Sequence, residues 1–175
     1  MRMQWLFVLP FVFTVSVFAE SAAGVRWTAP AGWKTEGARP MRAATYVVAP
    51  ATADQTSAEC AVYFFGPGQG GTVDANIDRW KGQFRDRAGK PAAAQVARRT
   101  SHGLAITTID VAGEYSGMGG PMSREQTIAS GYRLLGAIVE GPRGTIFVKF
   151  IGPANTVAAN QKKFEQLLAS FQPER

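Results

Sequence analysis

Beyond the first 19 residues, apolar positions crowd densely at Cys60-Ala61-Val62-Tyr63-Phe64-Phe65, where no polar residue marks an outer face. Such a run, starting near Glu59, predicts a strand whose sheet is covered on both sides. A glycine-rich turn from Gly66 to Gly71 follows, and then the period changes. Val73, Ile77, Trp80 and Phe84 recur at spacings of four, three and four, which lays one apolar stripe along a helix. Thr72 is placed to cap that helix, and Asp74 lies in its first turn, where the helix dipole favours negative charge. Gly89 and Pro91 mark its expected end.

The flanking pattern is mostly one of strands. Val25 to Trp33 opens with a short edge strand, stopped by Pro30, that runs into a turn around Gly32, with Trp27 and Trp33 able to pack on the sheet end. Lys34 to Pro40 is a polar connection. Met41 to Val48 alternates, with Ala44, Tyr46 and Val48 on one face and Ala43, Thr45 and Val47 on the other. Ala92 to Arg99 reads as a second short helix or as a strand leading into a turn at His102-Gly103, and the strand fits better. Leu104 to Ala112 is rich in β-branched residues, and Tyr132–Val139 and Thr145–Ile151 form a hairpin across Glu140–Gly144. Gly113 to Thr127 has no periodicity and reads as a long connection. Asn155 or Thr156 is expected to cap a final helix that buries Val157, Phe164, Leu167, Leu168 and Phe171. Hairpin-linked strands with two separated helices imply an α+β domain: an antiparallel sheet of five or six strands with helices packed on its faces.

The first 19 residues follow a different rule. Arg2 is followed by an almost unbroken apolar run from Trp5 to Phe18, and Val17-Phe18-Ala19 suits a signal peptidase. Residues 1–19 are therefore read as a secretory signal peptide, leaving 20–175 as one exported domain, periplasmic or extracellular. The run spans about 14 residues against the roughly 20 of a spanning helix, so the cleaved chain is expected not to cross a membrane. No cysteine at the cleavage point invites lipid attachment. Hydrophobic residues at 46% and charged residues at 18% exclude a disordered chain. The single cysteine, Cys60, can form no internal disulfide and reads as a small buried apolar residue. A monomer is expected.

Two short motifs suggest a relative. Ala29-Pro30-x-Gly32-Trp33 near the start and Phe164-x-x-Leu167-Leu168-x-Ser170-Phe171 at the end frame the meandering sheet, and together they resemble the PsbP-like fold. That fold is named for an extrinsic protein of the photosynthetic oxygen-evolving complex, and it recurs in small exported bacterial proteins. The resemblance implies an antiparallel sheet between helices, and a binding or accessory role more often than catalysis. It carries over no functional residue.

Candidate chemistry is sparse. Gly66, Gly68 and Gly71, with Gly70 between, spell G-x-G-x-x-G between a strand and a helix, the context of a dinucleotide site. The acidic residue required about 20 positions on is missing, since that region holds Arg98, Arg99 and His102. Gly71-Thr72 also lacks the lysine of a nucleoside-triphosphate loop, so a structural turn with no nucleotide cofactor is expected. Backbone N–H groups at the helix start can still hold a small anion. Arg79, Lys81, Arg85, Arg87, Lys90, Arg98 and Arg99 face only Asp78 and Asp86 in the same stretch. If Lys81 and Arg85 share one helix face, this patch could dock on anionic lipid or an acidic protein surface. The ordinary alternative is a solvated helix face. Nucleic acid is not expected for an exported chain without a recognition motif.

One histidine and one buried cysteine leave little for metal or nucleophilic chemistry, although His102 with Met118 and Met122 has the donor types of a soft-metal site. Neither a catalytic residue, a metal nor a cofactor is assigned. The main reading is a non-catalytic exported binding or accessory domain. The alternative is a small hydrolase near residues 113–127, which a deep cleft with convergent polar groups beside that loop would favour. N-terminal sequencing of the protein from its native host should begin at Glu20 or close by; an intact Met1 on the extracytoplasmic protein overturns the leader assignment.

Overall fold

The computed structural model describes residues 19–117 and 128–174. The leader up to Phe18, and Met118 and Met122 of the soft-metal candidate, lie outside the described residues. In chain order the strands are β1 (Ala19–Ala22), β2 (Val25–Thr28), β3 (Lys34–Thr35), β4 (Arg42–Val48) and β5 (Ala58–Phe64). Helix α1 (Val73–Gly82) follows, then β6 (Phe84–Arg85), β7 (Ala94–Ser101), β8 (Leu104–Tyr115), β9 (Ala129–Gly141) and β10 (Gly144–Pro153). Helices α2 (Ala154–Ala159) and α3 (Gln161–Ser170) and strand β11 (Gln172–Pro173) close the chain.

The main sheet runs β3-β4-β5-β10-β9-β8, and both β6 and β7 pair with the outer edge of β8. A second sheet has the order β1-β2-β11. Every pairing among the described residues is antiparallel. The class is α+β, as the pattern of hairpins implies, but with more strands than five or six. Val25–Thr28 is the middle strand of the small sheet, which corrects its reading as an edge of the main one.

β5 lies inside the main sheet with one face buried through Ala58, Cys60 and Val62, but the other, carrying half-buried Glu59 and Tyr63, is covered only in part, which corrects the expectation of cover on both sides. Cys60 and Val62 face a core closed by the small sheet, α2 and α3, where Trp27 stacks on Phe171 at 5.1 Å. Trp33 packs on Phe150 at 4.9 Å, and Phe150 stacks on Phe164. The two motifs that frame the sequence therefore meet in one core. Cys60 is fully buried, and burial pushes its thiol pKa up. The opposite face packs on α1 through Ile77, Trp80, Ile109, Ile138 and Phe147. Trp80 lies against Gly136 of β9, where an added Cβ would come within 2.7 Å of the indole.

Two helix boundaries differ from the pattern. α1 ends at Gly82, not at Gly89, and Phe84 is buried from a strand. Phe84 and Arg85 pair with Tyr115 and Glu114, so sheet pairing wins over the four-residue period. Gly89 instead sits in a turn where Asp86 Oδ1 accepts from the Ala88 and Lys90 amides. The final helix is two helices broken at Asn160, whose amide Nδ2 donates to the Thr156 carbonyl while its Oδ1 accepts from Trp33 Nε1. Neither Asn155 nor Thr156 caps it. The N-cap position is Pro153, and Asp54, distant in sequence, accepts from the Thr156 amide at 2.7 Å and its hydroxyl at 2.6 Å. Those hydrogen bonds, with Thr156 the largest influence, hold the Asp54 carboxyl below its ordinary pKa.

Trp80 is 2% exposed, so Trp80→Ala opens a cavity between helix and sheet. It should cost about 3–5 kcal/mol, read as a lower urea midpoint at unchanged slope.

Candidate functional site

The basic residues do not gather on one helix face. Lys81 sits in the last turn of α1, 3.7 Å from Asp78. Arg85 lies on β6 with its guanidinium turned back onto the Gly82 and Phe84 carbonyls, so the shared face with Lys81 does not exist. Arg87 and Lys90 occupy the following turn. Arg98 and Arg99 lie on β7 opposite Thr107 and Ile106, whereas Arg85 lies opposite Glu114. Seven residues of β8 separate these two sets, about 23 Å at the rise of an extended strand. Arg98 is also paired with Asp74 at 2.7 Å, inside an open groove of about 520 Å³ between β7 and the start of α1.

The glycine turn closes on itself. Gly66, Gly68, Gly70 and Gly71 all have positive φ, the region in which glycine alone is unstrained. The buried Asn76 side chain donates to the Gly70 and Thr72 carbonyls, and Thr72 Oγ1 caps α1 by accepting from the Ala75 amide. The strand before the turn has antiparallel neighbours on both sides, so the parallel crossover of a dinucleotide fold is absent from this part of the sheet. His102 is exposed and ties a turn to the end of the last helix. It sits in the β7–β8 turn at φ 49°, with Nδ1 3.1 Å from the Phe171 carbonyl. Because a carbonyl only accepts, Nδ1 carries the proton there. Among the described residues no group of three or more His, Cys, Asp or Glu side chains is placed to hold a metal.

Sequence pattern alone missed the place where polar groups converge. On the α1 face of the sheet, Lys149 of β10 lies between Ala61 of β5 and Gly136 of β9. Two of the smallest residues flank a long one, which leaves a trough across the sheet. Trp80 covers its Gly136 side, and the remainder opens as a cavity of about 490 Å³. Arg42, Glu59, Tyr63, Tyr115, Tyr132 and Gln83 line it, with Ser57 and Gly117 at its margin. A second hollow of about 230 Å³ shares Tyr63 and Lys149 with it and adds Arg79, Trp80, Phe65 and Phe147.

The charges of this site are unequal. Glu59 is held by Arg42 at 2.9 Å and by Arg39 at 3.5 Å, and Arg42 lies 5.2 Å from the centre of the Tyr63 ring. Lys149 Nζ has no carboxylate within ion-pair distance among the described residues. It lies 5.9 Å from the Trp80 ring centre and 3.5 Å from Gln83 Oε1. Burial first, then repulsion from Arg79 and Arg42, push its pKa down to about 8, with Glu59 opposing. Burial raises the Tyr63 and Tyr115 pKa values, so both phenols stay protonated where Lys149 titrates. Tyr115 stacks on Tyr132 at 6.1 Å and forms an aromatic wall.

Comparison with solved structures settles the fold. The solution structure of cyanobacterial PsbP, CyanoP, from Synechocystis matches with a TM-score of 0.51 over 96% of this chain and 98% of its own, at 15% identity. The fold is PsbP-like. A protein of unknown function from Pseudomonas aeruginosa, PA94, matches with a TM-score of 0.50 over 91% of this chain and 98% of its own, at 11% identity. No protein-family model matches, and no curated protein matches significantly. At these identities the PsbP-like likeness concerns the fold and leaves the pocket to be read from its own residues.

A lysine in the unfolded chain keeps its proton to about pH 10.5, whereas folded Lys149 releases it near 8. Between those values the unfolded state binds more protons, so stability rises with pH across that window. Lys149→Met should flatten this rise and raise the denaturation midpoint at neutral pH; an unchanged pH profile would contradict the desolvated placement of the amine.

Proposed function

We propose that this protein is an exported, non-catalytic binding domain that holds a small ligand in the trough over β5, β10 and β9. The observation that carries the reading is the convergence of Arg42, Gln83, Lys149 and three tyrosines on one cavity in an otherwise packed sheet face. Its volume lies within the range of about 300–1,000 Å³ common to small-ligand clefts. The PsbP-like fold suits a binding or accessory role. Docking on an anionic envelope surface draws less support, because the basic residues divide into two separated groups.

The cavity reaches Tyr115 and Gly117, the described start of the stretch that the hydrolase alternative names, but its chemistry favours binding. Glu59 is occupied by two arginines, and among the described residues no hydrogen bond joins the Ser57 hydroxyl to Lys149 or to Glu59. Hydrolysis by an activated hydroxyl needs that link. Export is supported by the leader pattern and by the role of Glu20. Its carboxylate accepts from Trp27 Nε1 at 3.1 Å and from the Tyr46 hydroxyl, contacts that cleavage after Ala19 preserves.

Nitrogen-edited NMR of the protein against a small-fragment mixture tests the pocket. Shifts should cluster at the amides of Ala61, Gly136 and Lys149. Shifts confined to β7 and the Arg87–Lys90 turn would favour surface docking. Saturable ester hydrolysis abolished by Lys149→Met would favour the hydrolase.

A further inference from the structure

We infer that the ligand of this pocket is a small organic anion, its carboxylate or phosphate held between Lys149 and Arg79 and its body laid against Tyr63. The inference rests on the binding reading above and adds the charge of the ligand. Lys149 and Arg79 line the same hollow, and Tyr63 forms the wall that joins it to the larger cavity. Neither cation has an ion-pair partner among the described residues. The Arg79 guanidinium donates to the Asn76 side-chain oxygen, and the Lys149 ammonium has only a long approach to Gln83.

Other charged and titratable groups around Lys149 do not cure this deficit. Arg42 from β4 adds a third positive charge, and Glu59 from β5 already serves Arg42 and Arg39. Tyr63 from β5, Tyr115 from β8 and Tyr132 from β9 bring hydroxyls to the cavity. Lys149, half-buried without a carboxylate and repelled by the exposed Arg79 guanidinium that lines the same hollow, is unfavourable as a cation unless a negative charge enters with the ligand. A neutral ligand leaves that repulsion in place, and a cationic one increases it. An anion receives charge-assisted hydrogen bonds from both side chains, and the hollow of about 230 Å³ has room for a headgroup with Tyr63 and Phe65 beside it.

Protonation of Lys149 then governs affinity. Its pKa lies near 8 in the empty pocket, while Tyr63 and Tyr115 titrate above the ordinary tyrosine value. Binding is therefore tightest below pH 8 and weakens as pH rises through the value that the bound anion imposes on the lysine. Removing one charge-assisted hydrogen bond corresponds to roughly a tenfold to hundredfold loss of affinity.

Titration calorimetry of the purified protein with benzoate, phenyl phosphate and the neutral benzamide, below and above pH 8, tests the inference. The expected result is binding of benzoate or phenyl phosphate but not benzamide, weaker at high pH. Lys149→Met should lose about tenfold or more at neutral pH and flatten the profile, and Lys149→Arg should keep neutral-pH binding while also losing the pH dependence. Benzamide binding as tightly as benzoate, with Lys149→Met unaffected, overturns the anion inference but leaves the pocket as a binding site. No saturable binding of any probe at millimolar concentration, with no NMR shifts in the trough, overturns both. Circular dichroism of the two variants separates lost binding from lost folding.

Discussion

The contact between Trp80 and Gly136 governs the α1 side of this molecule. An indole can lie against a strand only where the sheet presents no side chain, and Gly136 supplies that gap with its would-be Cβ position already filled by the ring. The contact seats α1 across β9 and draws the chain into β6 directly after the helix ends. Phe84 can then pair its backbone with Tyr115 and bury its ring against the same core. Lys149 lies in register with Gly136, so the indole that anchors the helix also lines the smaller hollow beside Lys149. Helix seating and pocket shape follow from one small residue.

The two faces of the sheet perform different work. The face under α2, α3 and the small sheet is closed by aromatic stacking and by hydrogen bonds that run from the first strand to the last helix. Trp27 Nε1 donates to Tyr46 and Glu20, and Trp33 Nε1 to Asn160. These links satisfy the polar ends of large buried rings, as their burial requires. The face under α1 is only partly covered. Burial of a lysine without a carboxylate opposes stability, and such departures from good packing concentrate where a protein binds something. This molecule thus combines a closed layer with a layer that tolerates an unpaired charge.

The glycine-rich turn illustrates how a motif depends on its context. G-x-G-x-x-G binds phosphates when a parallel sheet and an open helix N-terminus surround it. Here Asn76 fills the turn from inside, and the strand before it has antiparallel partners on both sides. The same glycines serve chain reversal. The arginine-rich stretch is similar, since seven cations close in sequence become separate surfaces when the helix ends at Gly82, well before Gly89, and a strand turns back.

Local physics was enough to determine much of the chain. The strand at β5, the Thr72 cap, the buried Cys60, the hairpin of β9 and β10 and the packing of Phe164, Leu167, Leu168 and Phe171 all follow from residue type and spacing within one element. The α+β class and the PsbP-like resemblance rest on that same information. The end of α1, the break at Asn160 and the capping of α2 by Asp54 do not, because each depends on partners distant in the chain. The pocket is the extreme case. Lys149, Ala61 and Gly136 carry no mutual signal in sequence, and their meeting is a matter of strand register. Register is decided by the packing of whole sheet faces, so the trough and its uncompensated charge exist only once the tertiary structure has formed.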